Sequence, residues 1–284
     1  MLSKVDAKKG LLPQAVLCGS TNFTENGVYR QANVSHMADN PAISASYLQL
    51  FGQIWADPTH VDATRKWISA NNPIDTSKPQ FAGFSPRTGQ GDLAEFFNVL
   101  NGAKKDVLFA TAFALPDDIL NAMLGAAHDD VLRYGIQNTA SRITGYHADR
   151  TAEFAATALL SDGLEGWVKE GLKGQKGNLL VHLKAIVANF TTDAPIVISG
   201  SHNFSVPASN GNDENYWIMR ADTDLADRYG LEIIRFYEHY RFRHFAKLLK
   251  LKQANPLAVD DSWAADYYKD GNLEALSRLR FSGR

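Results

Sequence analysis

The stretch Val181–Ser205, VHLKAIVANFTTDAPIVISGSHNFS, decides how this chain folds. It holds two apolar runs, parts of 178–190 and 194–204, flanking the turn-forming TTDAP, which predicts two strands joined by a short loop. Alternation along the first run puts His182 and Lys184 on the same side of the sheet. The second run ends in the hexapeptide GSHNFS, Gly200–Ser205. A near copy, GSTNFT, occupies Gly19–Thr24 behind the strand-like PQAVLCG of 13–19.

The repeat extends past the hexapeptides. A shift of 181 superimposes Gly19, Ser20, Asn22, Phe23 and Thr24 on Gly200, Ser201, Asn203, Phe204 and Ser205. A shift of 182 then puts Tyr47 on Tyr229, Phe51 on Ile233, Ile54 on Phe236 and Trp55 on Tyr237. Strand, hexapeptide, connector and amphipathic helix recur together, which marks an internal duplication. The copies are unequal, because no histidine precedes the first hexapeptide.

Around this repeat the chain has an ordinary globular composition: 284 residues, 45% hydrophobic and 21% charged. A formal charge of -2 argues against wrapping nucleic acid by bulk electrostatics. The single cysteine, Cys18, excludes an intramolecular disulfide and a cysteine-based zinc cluster. The start carries no signal-peptide core, and no run reaches the roughly 18 apolar residues of a membrane span. As given, the chain reads as soluble and cytoplasmic, any targeting signal being left to an upstream segment.

Helical spacing of Ile43, Tyr47, Leu50, Phe51 and Ile54 predicts a helix over 42–56. Residues 57–91 read as a connection containing one short helix at 61–69. Helices are expected at 92–103, 116–127 and 222–250, and strands at 106–115, 131–137 and 215–221. The alternation implies an α/β fold, with a mixed, largely parallel sheet flanked by helices on both faces.

An imidazole beside an ammonium suits an anionic substrate that needs a nucleophile, and the cation keeps the ring neutral near pH 7. Ser201 and Asn203 supply donors for phosphoryl oxygens where the strand ends. Glu214 offers a carboxylate able to accept the Nδ1 proton of a histidine, leaving Nε2 to attack. His202 fills the variable position of its motif and reads as structural. His36 reads as a residue on a strand or loop surface, and His60, His128, His147, His239 and His244 as ordinary surface or core residues. The basic, aromatic end of the last helix, 240–250, reads as a solvated C-terminus compensating the helix dipole.

The ordered set H-x-K, G-S-x-N-F-S and N-x-E-N, with a second G-S-x-N-F-T upstream, resembles the phospholipase D superfamily. The resemblance implies a pseudo-symmetric, two-lobed fold. Residues 1–77 would be the C-terminal remnant of a first lobe with a linker. Residues 78–284 would be a complete second lobe with a C-terminal helical extension. It also implies a metal-independent, cofactor-free hydrolase or transferase acting through a phosphohistidine on phospholipid or another phosphodiester, with nucleic acid as the alternative. His182, Lys184, Asn203 and Glu214 would be catalytic, and Lys184, Ser201, Asn203, Ser20 and Asn22 would hold the phosphate. The family's motif aspartate falls on Asn189, a position that looks structural. In the first copy, Asn33 stands at the position of Glu214 and Gln31 at that of Asn212, while the H-x-K pair should lie just before residue 1. In-line displacement needs an acid opposite the nucleophile, and one imidazole cannot serve both sides. A homodimer, another histidine of the chain or a missing partner segment would complete such a site; an incomplete lobe would serve as a binding or scaffold domain.

Overall fold

The computed structural model describes residues 2–6, 10–113, 115–125, 129–138, 152–156, 181–248, 258–272, 274–275, 278–279 and 282. The first part runs β1 (Leu2–Asp6), β2 (Gly10–Gly19), α1 (Glu25–Tyr29), β3 (Ser35–Ala38), α2 (Pro41–Ala56) and α3 (Val61–Asn71). Then follow β4 (Gln80–Ser85), α4 (Gly91–Gly102), β5 (Asp106–Thr111), α5 (Asp117–Leu124), β6 (Leu132–Gln137) and β7 (Ala152–Ala156). The last part holds β8 (Ala185–Ala188), β9 (Ile196–Gly200), α6 (Val206–Asn210), β10 (Glu214–Arg220) and α7 (Thr223–Leu248). Strands β1, β2 and β3 form an antiparallel sheet, and the other seven a mixed sheet in the order β4-β10-β9-β8-β5-β6-β7.

The α/β class with a mixed, helix-flanked sheet holds, but parallel pairs do not predominate. Among the described residues only β5–β6 and β6–β7 are parallel; the other four interfaces of this sheet are antiparallel. Between β8 and β9 the connection 189–195 is too short for a parallel return, which needs a crossover of about a dozen residues or more.

The expected helices at 42–56 and 61–69 are α2 and α3, but the 57–91 connection also contains strand β4. Its flanking Pro79 and Pro86 and its internal Gly83 read as loop signals. Gly83 answers to packing, since a Cβ there would meet the Tyr216 ring at 2.1 Å. Strands β1 and β3, four or five residues each, were too short to show a period. The H-x-K residues precede β8 in an extended segment instead of lying within the strand, and 178–180 lie outside the described residues. So do 249–250 of the expected last helix.

On one face of the large sheet, α4 and α5 bring Leu93, Phe96, Ile119 and Met123 onto Phe109, Ile186, Ile198 and Ile218. On the other, α7 packs Ile233 and Tyr237 against Leu108, Val187 and Trp217, joined by Val16 of β2. Each such side chain contributes about 1.5–3 kcal/mol on leaving water.

The sequence repeat reappears bond by bond. Ser20 N donates to Val34 O at 2.9 Å and Val34 N to Ser20 Oγ at 3.0 Å. Ser201 N donates to Asn215 O at 2.9 Å and Asn215 N to Ser201 Oγ at 2.9 Å. The final hydroxyls cap short helices: Thr24 accepts from Gly27 N, and Ser205 from Ala208 N. Gly19 and Gly200 let the next strand approach, because a Cβ would stand 2.0 Å from Val34 O and 2.4 Å from Asn215 O. The aligned tyrosines also reach reciprocally. Tyr47 of α2 accepts from Trp217 Nε1 at 2.7 Å, and Tyr229 of α7 meets His36, the residue at Trp217's position in the first copy.

Candidate active site

The H-x-K segment is fixed through its backbone. Val181 N donates to Asn138 Oδ1 at 2.8 Å, and Asn138 Nδ2 donates back to Val181 O. His182 N donates to Ala32 O at 2.8 Å, and Ser199 Oγ to Lys184 O at 2.9 Å. The alternation read from sequence survives: His182 and Lys184 meet, with Lys184 Nζ 2.9 Å from both ring nitrogens, while Leu183 lines a separate cavity of about 490 Å³ beside α7. The Phe113 ring stands edge-on to His182, 6.3 Å between centroids.

His182 Nδ1 lies 2.9 Å from Ser20 O and 2.9 Å from Asn33 Oδ1. The first hexapeptide and its following strand thus reach the histidine of the second. Glu214 is not the Nδ1 partner of His182; its carboxylate accepts from Asn212 Nδ2 at 3.3 Å and raises the proton affinity of Lys184. Burial outweighs that effect and pushes Lys184 down to about 7. Burial, and then the Lys184 charge, hold His182 below the usual imidazole range against the opposing Ser20 carbonyl. A buried lysine and a buried neutral histidine side by side are suited to receive an anion.

The two serines differ. Ser20 Oγ donates to Asn33 Oδ1 at 2.8 Å, behind His182. Ser201 Oγ has only a 3.4 Å contact to Asn215 O for its proton, which makes it the freer donor of the two. Asn203 keeps Oδ1 buried without a hydrogen-bond partner, and Asn22 is exposed. Sequence reasoning did not assign Asn138, Phe113 or the contact of Asn33. The alignment of Asn33 with Glu214 was the signal available for the last.

Asn189 has the structural part expected of it. At φ 56° it takes a left-handed turn that asparagine tolerates. Its Oδ1 accepts from Lys104 N at 2.7 Å and Lys105 N at 3.2 Å. Asn189→Ala is expected to cost about 1–3 kcal/mol in urea unfolding, whereas Asn189→Asp keeps the acceptor and stays within about 1 kcal/mol of the parent.

His202 is structural, with Nε2 3.2 Å from Asp92 Oδ2 in a fully buried pair and Nδ1 accepting from Phe204 N. His36 is half-buried in β3 rather than at a surface, and burial pushes it down to about 4. His60 pairs with Asp57 in the open, and His239 stacks edge-on to Tyr240. His128, His147 and the His244 side chain lie outside the described residues, as do the side chains of 244–250. Among the described residues no three His, Cys, Asp or Glu side chains gather at metal-ligand spacing, and no helix is long and apolar enough to cross a membrane.

No family model and no curated protein matches the sequence. Among solved structures the chain is similar to the phosphatidylserine synthase of Haemophilus influenzae Rd KW20, with 9% identity and a TM-score of 0.52. That match covers 82% of this chain and 60% of the synthase, so the chain spans less than two thirds of that relative. It is also similar to NucT from Helicobacter pylori, with 18% identity, a TM-score of 0.40, and 58% and 96% of the two chains covered. Nuc from Salmonella typhimurium, a phospholipase D family member, shows 17% identity and a TM-score of 0.38 over 58% and 92%. Identities this low speak to architecture alone. The likeness to the synthase shows that this chain shares the fold of that enzyme, in line with the resemblance its motifs carry.

Proposed function

We propose that this chain is a half-site of a phosphodiester hydrolase or transferase, with His182 as the nucleophile and Lys184, Ser201 and Asn203 holding the phosphate. Residues 1–77 act as the remnant of a first lobe and 78–284 as the second lobe. The observation carrying this reading is the histidine–lysine pair, with Nδ1 facing two acceptors so that Nε2 keeps its lone pair. Attack forms an Nε2–P bond and breaks the bond from phosphorus to the leaving oxygen, which departs with the electron pair. An alkoxide leaving group needs a proton from an acid on the far side. That acid would come from a second histidine facing His182 across the phosphate. A homodimer about His182 would need residues 19–34 to leave the place that the partner copy's 200–215 would fill. Phospholipid is the favoured substrate, because a formal charge of -2 leans away from nucleic acid, the alternative.

Bis-p-nitrophenyl phosphate separates attack from protonation, because p-nitrophenolate leaves without an acid. The isolated chain is expected to release about one equivalent in a burst, with a p-nitrophenyl phosphoryl group on His182 by mass spectrometry, as covalent catalysis requires. EDTA leaves the burst unchanged. Substrate affinity weakens as pH rises through about 7, because Lys184 then loses the proton that attracts the phosphate. Binding of the diester with no burst would instead favour a scaffold lobe, the reading supported by Asn33 standing where the other repeat has Glu214.

A further inference from the structure

We propose that Asn33 is the positioning residue of His182, fixing the proton on Nδ1 and the lone pair on Nε2 through a neutral amide. The inference deepens the reading of His182 as nucleophile. The amide has one available orientation, because Asn33 Nδ2 donates to Gly27 O at 2.9 Å while Oδ1 receives Ser20 Oγ–H at 2.8 Å. An acceptor therefore faces His182 Nδ1, and the Ser20 carbonyl adds a second at 2.9 Å. Two acceptors require a hydrogen on Nδ1. The Lys184 ammonium, 2.9 Å from both ring nitrogens and so over the ring face, finds no acceptor at a protonated Nδ1 and leaves the in-plane Nε2 lone pair free.

The neutrality matters as much as the direction. A carboxylate at this place would favour the imidazolium by Coulomb attraction; an amide orients the ring and leaves it uncharged. The other groups around the ring agree: Lys184 from its own segment opposes a second positive charge, Phe113 beyond β5 presents a ring edge, and Glu214 of β10 acts on Lys184. Asn33 thus keeps His182 a nucleophile down to lower pH than a carboxylate partner would.

Nitrogen NMR of the labelled full chain tests this without turnover. In the parent protein His182 is expected as the neutral Nδ1–H tautomer. Asn33→Asp keeps that tautomer and raises the His182 titration midpoint by about 1–3 pH units, and the acid limb of the p-nitrophenolate burst moves up equally. Asn33→Leu mixes the tautomers and slows the burst by about 10²-fold. A dominant Nε2–H tautomer in the parent, or an unmoved midpoint in Asn33→Asp, overturns the assignment. Asn33→Asp is isosteric and decides the question if the leucine variant does not fold. An absent burst with the expected NMR behaviour would sink the nucleophile reading and leave this one standing.

Discussion

With His182 replaced by alanine, the burst of p-nitrophenolate falls by about 10³-fold or more, into the background of spontaneous hydrolysis. The size follows from removing the only atom that forms a bond to phosphorus. Neighbouring groups cannot substitute: Lys184 is within reach but keeps most of its protons below about pH 7, and His202 is locked in a buried pair with Asp92. The imidazole is buried and bonds Ser20 O and Asn33 Oδ1, so its loss should cost about 1–3 kcal/mol. Contacts of the segment's backbone to Asn138, Ala32 and Ser199 should keep the alanine variant folded, which its thermal melt checks. His60→Ala, at an exposed helix start, should keep the full burst. Undiminished release by His182→Ala would remove this residue from the chemistry.

The second large effect concerns the hexapeptide itself. Gly200→Ala would place a methyl 2.4 Å from Asn215 O and 2.8 Å from Tyr216 Cα, both backbone atoms of a central strand. Nothing at the end of a flexible side chain is available to move aside, so β9 and β10 must separate. A cost of about 3 kcal/mol or more is expected, at the upper end of overpacking penalties. The strands that shift also carry Ser201, Glu214 and Asn215. Gly102→Ala, where a Cβ meets nothing within 4 Å, serves as the control and should cost nothing measurable. Urea midpoints for both variants, with m-values to confirm an unchanged transition, decide the matter.

The duplication, the His182–Lys184 pairing and the flanking helices were legible because each rests on local period or on repeated residue types. Strand β4 was not. Its five buried residues look like a loop when Gly83 is read alone, and only the Tyr216 ring lying over it gives that glycine its reason. Strand pairing was also beyond local reading: the segments were visible, but whether neighbours run parallel depends on connection lengths summed over the whole sheet. At the site, Ser20 and Ser201 are equivalent by sequence and differ in the structure. One faces an amide at position 33 and the other the backbone of Asn215. Asn33 itself shows as a replacement in the alignment. Its contact with a ring 149 residues away belongs to the tertiary fold.

The reciprocal tyrosines bear on how the molecule comes apart. Tyr47 rides on a helix of the first repeat and meets the indole of Trp217 in the second; Tyr229 rides on a helix of the second and meets His36 in the first. A cut between the repeats would strand both phenols and strip the Nδ1 acceptors from His182 in the same stroke. The two halves should consequently melt in one transition, which calorimetry of the full chain would read. The boundary visible in the sequence is a record of ancestry, and it is not a seam along which the protein can be divided.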